Sequence, residues 1–126
     1  MLAAGVGNGY LRRTSAISQI MKRIEPIATE FKAGLRELYG DQFAGLILFG
    51  SYARGDFHDE SDVDFAIVLK SPDTRTTEEI CRLTPLSAEL GYKYGLLVSI
   101  LPVSEHKLNT SMQGVYQNIR KEGIRL

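Results

Sequence analysis

Asp62 and Asp64 stand two residues apart, and ten residues separate them from the pair Gly50-Ser51. On an extended strand, residues two apart project from the same face. Two carboxylates so placed are the hard oxygen donors that Mg²⁺ takes, together with substrate phosphates. Gly50 lets a backbone approach a phosphate closely, and Ser51 offers an N–H and a hydroxyl to an anion. A short helix starting there would aim its positive end at the same anion. Arg54, inside Ala53-Arg54-Gly55, is placed to meet phosphate oxygens. Ser61 has two readings, a phosphate contact or the closing of a turn. The combination suits phosphate chemistry on a metal–nucleotide complex, with Asp62 and Asp64 as the metal-holding, catalytic pair.

Two strands must hold these groups. Phe43 to Phe49 is nearly all apolar, as a strand buried on both faces should be. Asp62 to Lys70 reads as the second strand. Val63, Phe65, Ile67 and Leu69 fall on one face, and Asp62, Asp64, Ala66 and Val68 on the other. If the two strands are antiparallel neighbours, Ser51 and both aspartates meet at one end of the sheet.

The flanking segments read as helices and one further strand. Ser15 to Arg23 has helical spacing, Pro26 interrupts it, and a helix over about Glu25 to Tyr39 would bury Ile27, Phe31, Leu35 and Leu38. Gly40 is a stop signal for it. Thr76 to Glu79 has the form of a capping box, with Ile80, Leu83, Leu86 and Leu90 buried behind it and Pro85 kinking or splitting the helix. Leu96 to Val103 predicts a third strand, with Pro102 at its end or on an edge. Thr110 and Gln113 suggest another capping box, opening a helix that presents Met112, Val115, Tyr116 and Ile119 and stops at Gly123. The order predicts an α/β (α+β) domain, a small mixed central sheet with helices packed on it.

Composition narrows the class. The chain has 126 residues, 44% of them hydrophobic and 24% charged, which fits one soluble domain with its own core. We read 15–126 as that domain and 1–14, with Gly5, Gly7 and Gly9, as a flexible N-terminal tail. The formal net charge is zero, which argues against a general nucleic-acid binder. No apolar run reaches the length of a membrane span, and the single cysteine, Cys81, rules out an internal disulfide. A cytoplasmic location is expected. Cys81 lies beside an apolar stripe and reads as packing. His58 and His106 read as solvated, and Tyr92 and Tyr94 as packing at a strand entry or as a base-stacking pair.

The Leu-Phe-Gly-Ser strand end, Ala53-Arg54-Gly55 and Asp62-Val63-Asp64 resemble the polymerase-β-like nucleotidyltransferase superfamily, and most closely its minimal nucleotidyltransferases. The likeness runs from about Ile24 to a closing Ile119-Arg120-Lys121-Glu122-Gly123. It implies transfer of a nucleoside monophosphate, AMP foremost, from ATP or another NTP with Mg²⁺, releasing pyrophosphate. Gly50, Ser51, Arg54 and Ser61 would hold the nucleotide. Minimal members often act with a HEPN-domain partner protein, and several such pairs look like toxin–antitoxin systems in which a residue of the partner is adenylylated. Ser99 stands where the superfamily commonly carries a third acid. That departure leaves open an antitoxin that only binds its partner. A small-molecule nucleotidyltransferase, its acceptor pocket supplied by a homodimer, is a further alternative.

Overall fold

The computed structural model describes residues 2–126, with side chains from Ser18 onward. The elements run α1 (Leu2–Tyr39), β1 (Phe43–Phe49), α2 (Gly50–Arg54), β2 (Val63–Leu69), α3 (Thr76–Tyr94), β3 (Val98–Ser104), α4 (Glu105–Thr110), α5 (Gly114–Glu122) and β4 (Ile124–Arg125), with a 3₁₀ turn over Gly40–Gln42. The expected tail over 1–14 concerns residues whose side chains lie outside the described ones.

The strand order is β3-β2-β1-β4. β1 is antiparallel to β2 and to β4, and β2 is parallel to β3. The sheet is therefore small and mixed, and the helices cover both faces. Toward α1 and α3 point Leu46, Leu48, Val63, Phe65, Ile67 and Leu69, packed on Ile24, Ile27, Phe31, Leu35, Leu83 and Leu90. Phe31 meets Phe65 edge-on, with ring centroids 5.5 Å apart. Toward α4 and α5 point Ile47, Ala66, Val68 and Val103, packed on Leu108, Tyr116 and Ile119. Burial on both faces is why β1 and β2 read as apolar runs.

Several local expectations are corrected. Pro26 does not interrupt α1 and Pro85 does not split α3, since both lie inside helices that continue past them. Each removes one helical N–H, but both sit on exposed sides, where the carbonyls of Lys22 and Cys81 can stay hydrated. Cys81 is exposed instead of packed. Leu38, placed in the buried stripe, is half exposed. Thr76 does not cap α3. Its hydroxyl donates to the Pro102 carbonyl at 2.8 Å, tying the helix start to β3, and Glu79 accepts instead from the Tyr39 hydroxyl at 2.9 Å.

Thr110 belongs to the last turn of α4, a helix absent from the sequence reading and capped by Ser104, whose hydroxyl accepts from the Lys107 N–H at 3.0 Å. Met112 and Val115 are exposed, so the buried residues of α5 are Tyr116 and Ile119. Arg120 donates to the carbonyls of Leu108 and Ser111, satisfying the end of α4. Pro102 sits on an edge strand, as its missing N–H requires.

Candidate functional site

The turn from β1 into α2 is built around Gly50. Its φ of 74° is a left-handed conformation that glycine adopts without strain. Phe49 lies opposite Asp64 across the antiparallel pair, and the Asp64 carboxylate occupies the space a Cβ on Gly50 would fill. Glycine is thus required twice, by its backbone and by the carboxylate lying on it.

α2 then carries Ser51 and Arg54 and ends at Gly55, whose φ is 82°. The amides of Gly55 and Asp56 both donate to the Ser51 carbonyl, at 3.0 and 3.1 Å. Between them Tyr52 is fully buried and stacks on Phe57, with centroids 4.3 Å apart and planes 9° from parallel. That stack clamps the turn onto the core. His58 and Ser61 close the rest of the loop reciprocally. The Ser61 N–H donates to the His58 carbonyl, and the Ser61 hydroxyl accepts from the His58 N–H, both at 2.9 Å. Turn closure therefore accounts for Ser61 as it stands here.

Asp62 is exposed just ahead of β2, and Asp64 is half-buried within it. Burial pushes the Asp64 carboxyl above the usual carboxylate range, and the charge of Asp62 pushes it further. The neighbouring Ser99 hydroxyl and the charge of Arg54 pull the other way. Ser99 sits directly beside Asp64 in the parallel register. The position where the superfamily commonly carries a third acid is thus next to the pair, and it holds a hydroxyl. Among the described residues no three His, Cys, Asp or Glu side chains gather as a metal site.

Arg54 reaches Asp56 at 3.2 Å and, across the chain, Glu122 at 3.5 Å. Both carboxylates are partly exposed, so the pairs orient the guanidinium more than they stabilise the fold. Arg54 and Gly50 form one wall of a cleft of about 410 Å³, with Phe49 beside them and Gly114, Val115, Asn118 and Glu122 of α5 opposite. The structure thus brings Gly50 and Asp64 into contact, keeps Asp62 and Arg54 within electrostatic reach of Asp64, and leaves Ser61 in the loop. Phe49, Asn118 and Glu122 were missed as site residues. The sequence marked α5 as a helix, but nothing local pairs Glu122 with Arg54, 68 positions away.

The donors fit Mg²⁺. Asp62 and Asp64 offer carboxylate oxygens, the donor type Mg²⁺ takes, and burial and the neighbouring Asp62 charge penalise the ionised Asp64, a penalty that a divalent cation would relieve.

A family model described as nucleotidyltransferase domain matches residues 28–126. The chain is 38% identical over 73 residues to "Putative protein adenylyltransferase MJ0141" of Methanocaldococcus jannaschii, covering 58% of this chain and 72% of that one. It is 33% identical over 100 residues to "Putative protein adenylyltransferase MJ0604" of the same organism, covering 79% and 93%. Among solved structures, "a putative nucleotidyltransferase from Sulfolobus solfataricus" matches with TM-score 0.57 at 18% identity, over 88% of this chain and 85% of that one. A toxin–antitoxin structure with AMP-PNP matches with TM-score 0.52 at 22% identity, over 74% and 67%. At these identities the solved structures establish the fold.

Proposed function

The chain belongs to the nucleotidyltransferase domain family, and from that premise we propose that it moves AMP from ATP–Mg²⁺ to a side chain of a partner protein. The observation that carries the reading is the Asp64 carboxylate lying on Gly50, with Asp62 two residues before it. It joins a metal-holding pair to a backbone turn suited to phosphate.

Asp62 and Asp64 would hold Mg²⁺, which when bound neutralises triphosphate charge and polarises the α-phosphate. Gly50 and Ser51 would hold the triphosphate. Arg54, already oriented by Asp56 and Glu122, would meet its outer oxygens. The acceptor oxygen bonds to the α-phosphorus as the bond from that phosphorus to the bridging oxygen breaks. Pyrophosphate leaves, and with no third carboxylate gathered beside the pair among the described residues the acceptor proton passes to water. The protein acceptor is supported by the descriptions of the two relatives. A toxin partner, of the HEPN type that the resemblance implies, is supported by the toxin–antitoxin fold neighbours.

Calorimetry with ATP tests the site. Binding that requires Mg²⁺ and is lost in the Asp62→Asn, Asp64→Asn variant is expected, followed by labelling of the partner from α-³²P-ATP. Absence of ATP binding by the folded wild type would overturn the reading. Ser99 beside Asp64 favours a second one, an antitoxin that acts only by binding. In that case the double variant would still neutralise its partner.

A further inference from the structure

We propose that the free edge of β3, with the apolar groove beside it, receives an extended, uncharged segment of the acceptor protein as an added strand. The proposal rests on the transfer reading above and names how that acceptor docks.

β3 ends the strand order, so one of its edges is unpaired among the described residues. The pairing fixes which backbone groups are free. The Val63 N–H donates to the Leu97 carbonyl at 2.8 Å, and the parallel register continues from Val63↔Val98 through Leu69↔Ser104. In such a ladder alternate residues bond to the neighbour. Residues 97, 99, 101 and 103 therefore face β2, and 98, 100, 102 and 104 face outward. Pro102 has no N–H, and its carbonyl is taken by Thr76. The usable edge is reduced to Val98 and Ile100.

Those two residues line a groove of about 760 Å³ between β3 and α3, bounded also by Ser87, Ala88, Gly91 and Leu96. Among the described residues no charged side chain lines it. Tyr92 and Leu97 at its rim are 93% and 69% exposed, large apolar surfaces left to solvent. A strand laid on this edge would send alternate side chains into the groove. The intervening ones would point to the opposite face, where Ser99 meets Asp64. Two strand spacings put the added backbone roughly 10 Å from that of Asp64. One edge thus offers main-chain bonds, an apolar anchor and delivery of a hydroxyl side chain toward the carboxylates.

A second copy of this chain is a poorer occupant. Pairing β3 with itself would be limited by Pro102 to the same two residues on each side. That is far short of the roughly 1,200 Å² that a stable dimer buries. A transient acceptor segment has no such requirement.

The test uses the full-length protein and a short synthetic peptide alternating Val with Thr and ending in lysines. Fluorescence anisotropy reads binding, and amide hydrogen exchange followed by NMR reads the edge. Val98 and Ile100 amides should exchange freely in the free protein and slow at least about tenfold with peptide, while Ser99 and Leu101 stay protected throughout. Ala88→Arg puts a charge into the groove from an exposed helix position and should weaken the peptide about tenfold or more, with ATP binding unchanged. Ile100→Pro removes one outward N–H and should act likewise.

No peptide binding, binding that leaves the Val98 and Ile100 amides unprotected, or equal binding by Ala88→Arg would each overturn the proposal. Concentration-dependent protection of those amides without peptide would do so too, assigning the edge to a second copy. Loss of ATP binding in the wild type would instead sink the transfer reading, since peptide docking is measured without nucleotide.

Discussion

The two faces of the sheet are made by the same strands and serve different ends. Toward α1 and α3, Val63, Phe65 and Ile67 are sealed completely under two long helices. Toward α4 and α5 the cover is two short helices, the core is smaller, and Asp64 emerges at its margin next to the cleft. Period-two alternation lets one strand supply a rigid wall and a working surface without either compromising the other. The carboxylate that the fold must tolerate is carried by a strand whose other side is its best-packed part.

Neighbouring substitutions on β2 should break this comparison most sharply. Phe65→Ala is expected to cost about 3–5 kcal/mol, measured by urea unfolding, and to lower activity only through loss of folded protein. Asp64→Asn should do the reverse, with transfer falling to background and a metal-free melting temperature equal to or above wild type. A folded Phe65→Ala variant that cannot bind ATP would show that the faces are not separable.

Gly50→Ala should sit between these extremes. Its φ and the overlap with Asp64 predict a loss of about 1–3 kcal/mol together with impaired ATP binding, read by thermal melts and calorimetry. Ser99→Asp would sharpen the comparison from the β3 side. Supplying the missing acid should raise the transfer rate by roughly 10²-fold with Mg²⁺ while destabilising the metal-free fold. An unchanged rate would mean that proton removal does not limit transfer.

The smallest effect is in pH. Because the folded state raises the Asp64 pKa, it binds that proton more tightly than the unfolded chain does. Asp64 therefore contributes a loss of stability as pH rises from the ordinary carboxylate pKa to the raised one, and the loss persists above it. Difference melts between wild type and Asp64→Asn without metal should show this slope, and saturating Mg²⁺ should reverse it.

Much of this was legible before the fold was known. Gly50, Ser51, Asp62 and Asp64 could be placed because two apolar runs bracket them and leave few ways to pair. Ser99 could be placed because an apolar run after a helix must return as a strand. What stayed hidden depends on partners distant in the chain. β4 has only two residues, too few to show a period, and exists because Leu48 and Ile47 pair with Ile124 and Arg125. Thr76 carries a capping signature, yet the Pro102 carbonyl, unpaired on the sheet edge, claims its hydroxyl. Glu122 and Asn118 join the cleft only because α5 crosses the end of β1.

The antiparallel joining of β1 to β2 through α2 has a consequence in time. These strands are close in sequence, whereas β3 must wait for α3 to form and cross over, and β4 must return from the far end of the chain. Loop closure favours the nearer pair, so the β1–β2 hairpin should be the folding nucleus. Kinetic φ-values near one at Leu48 and Ile67, and near zero at Val103 and Ile119, would bear this out. Gly50 and Asp64 would then meet early, and the strand carrying Ser99 would assemble around a half-site already made.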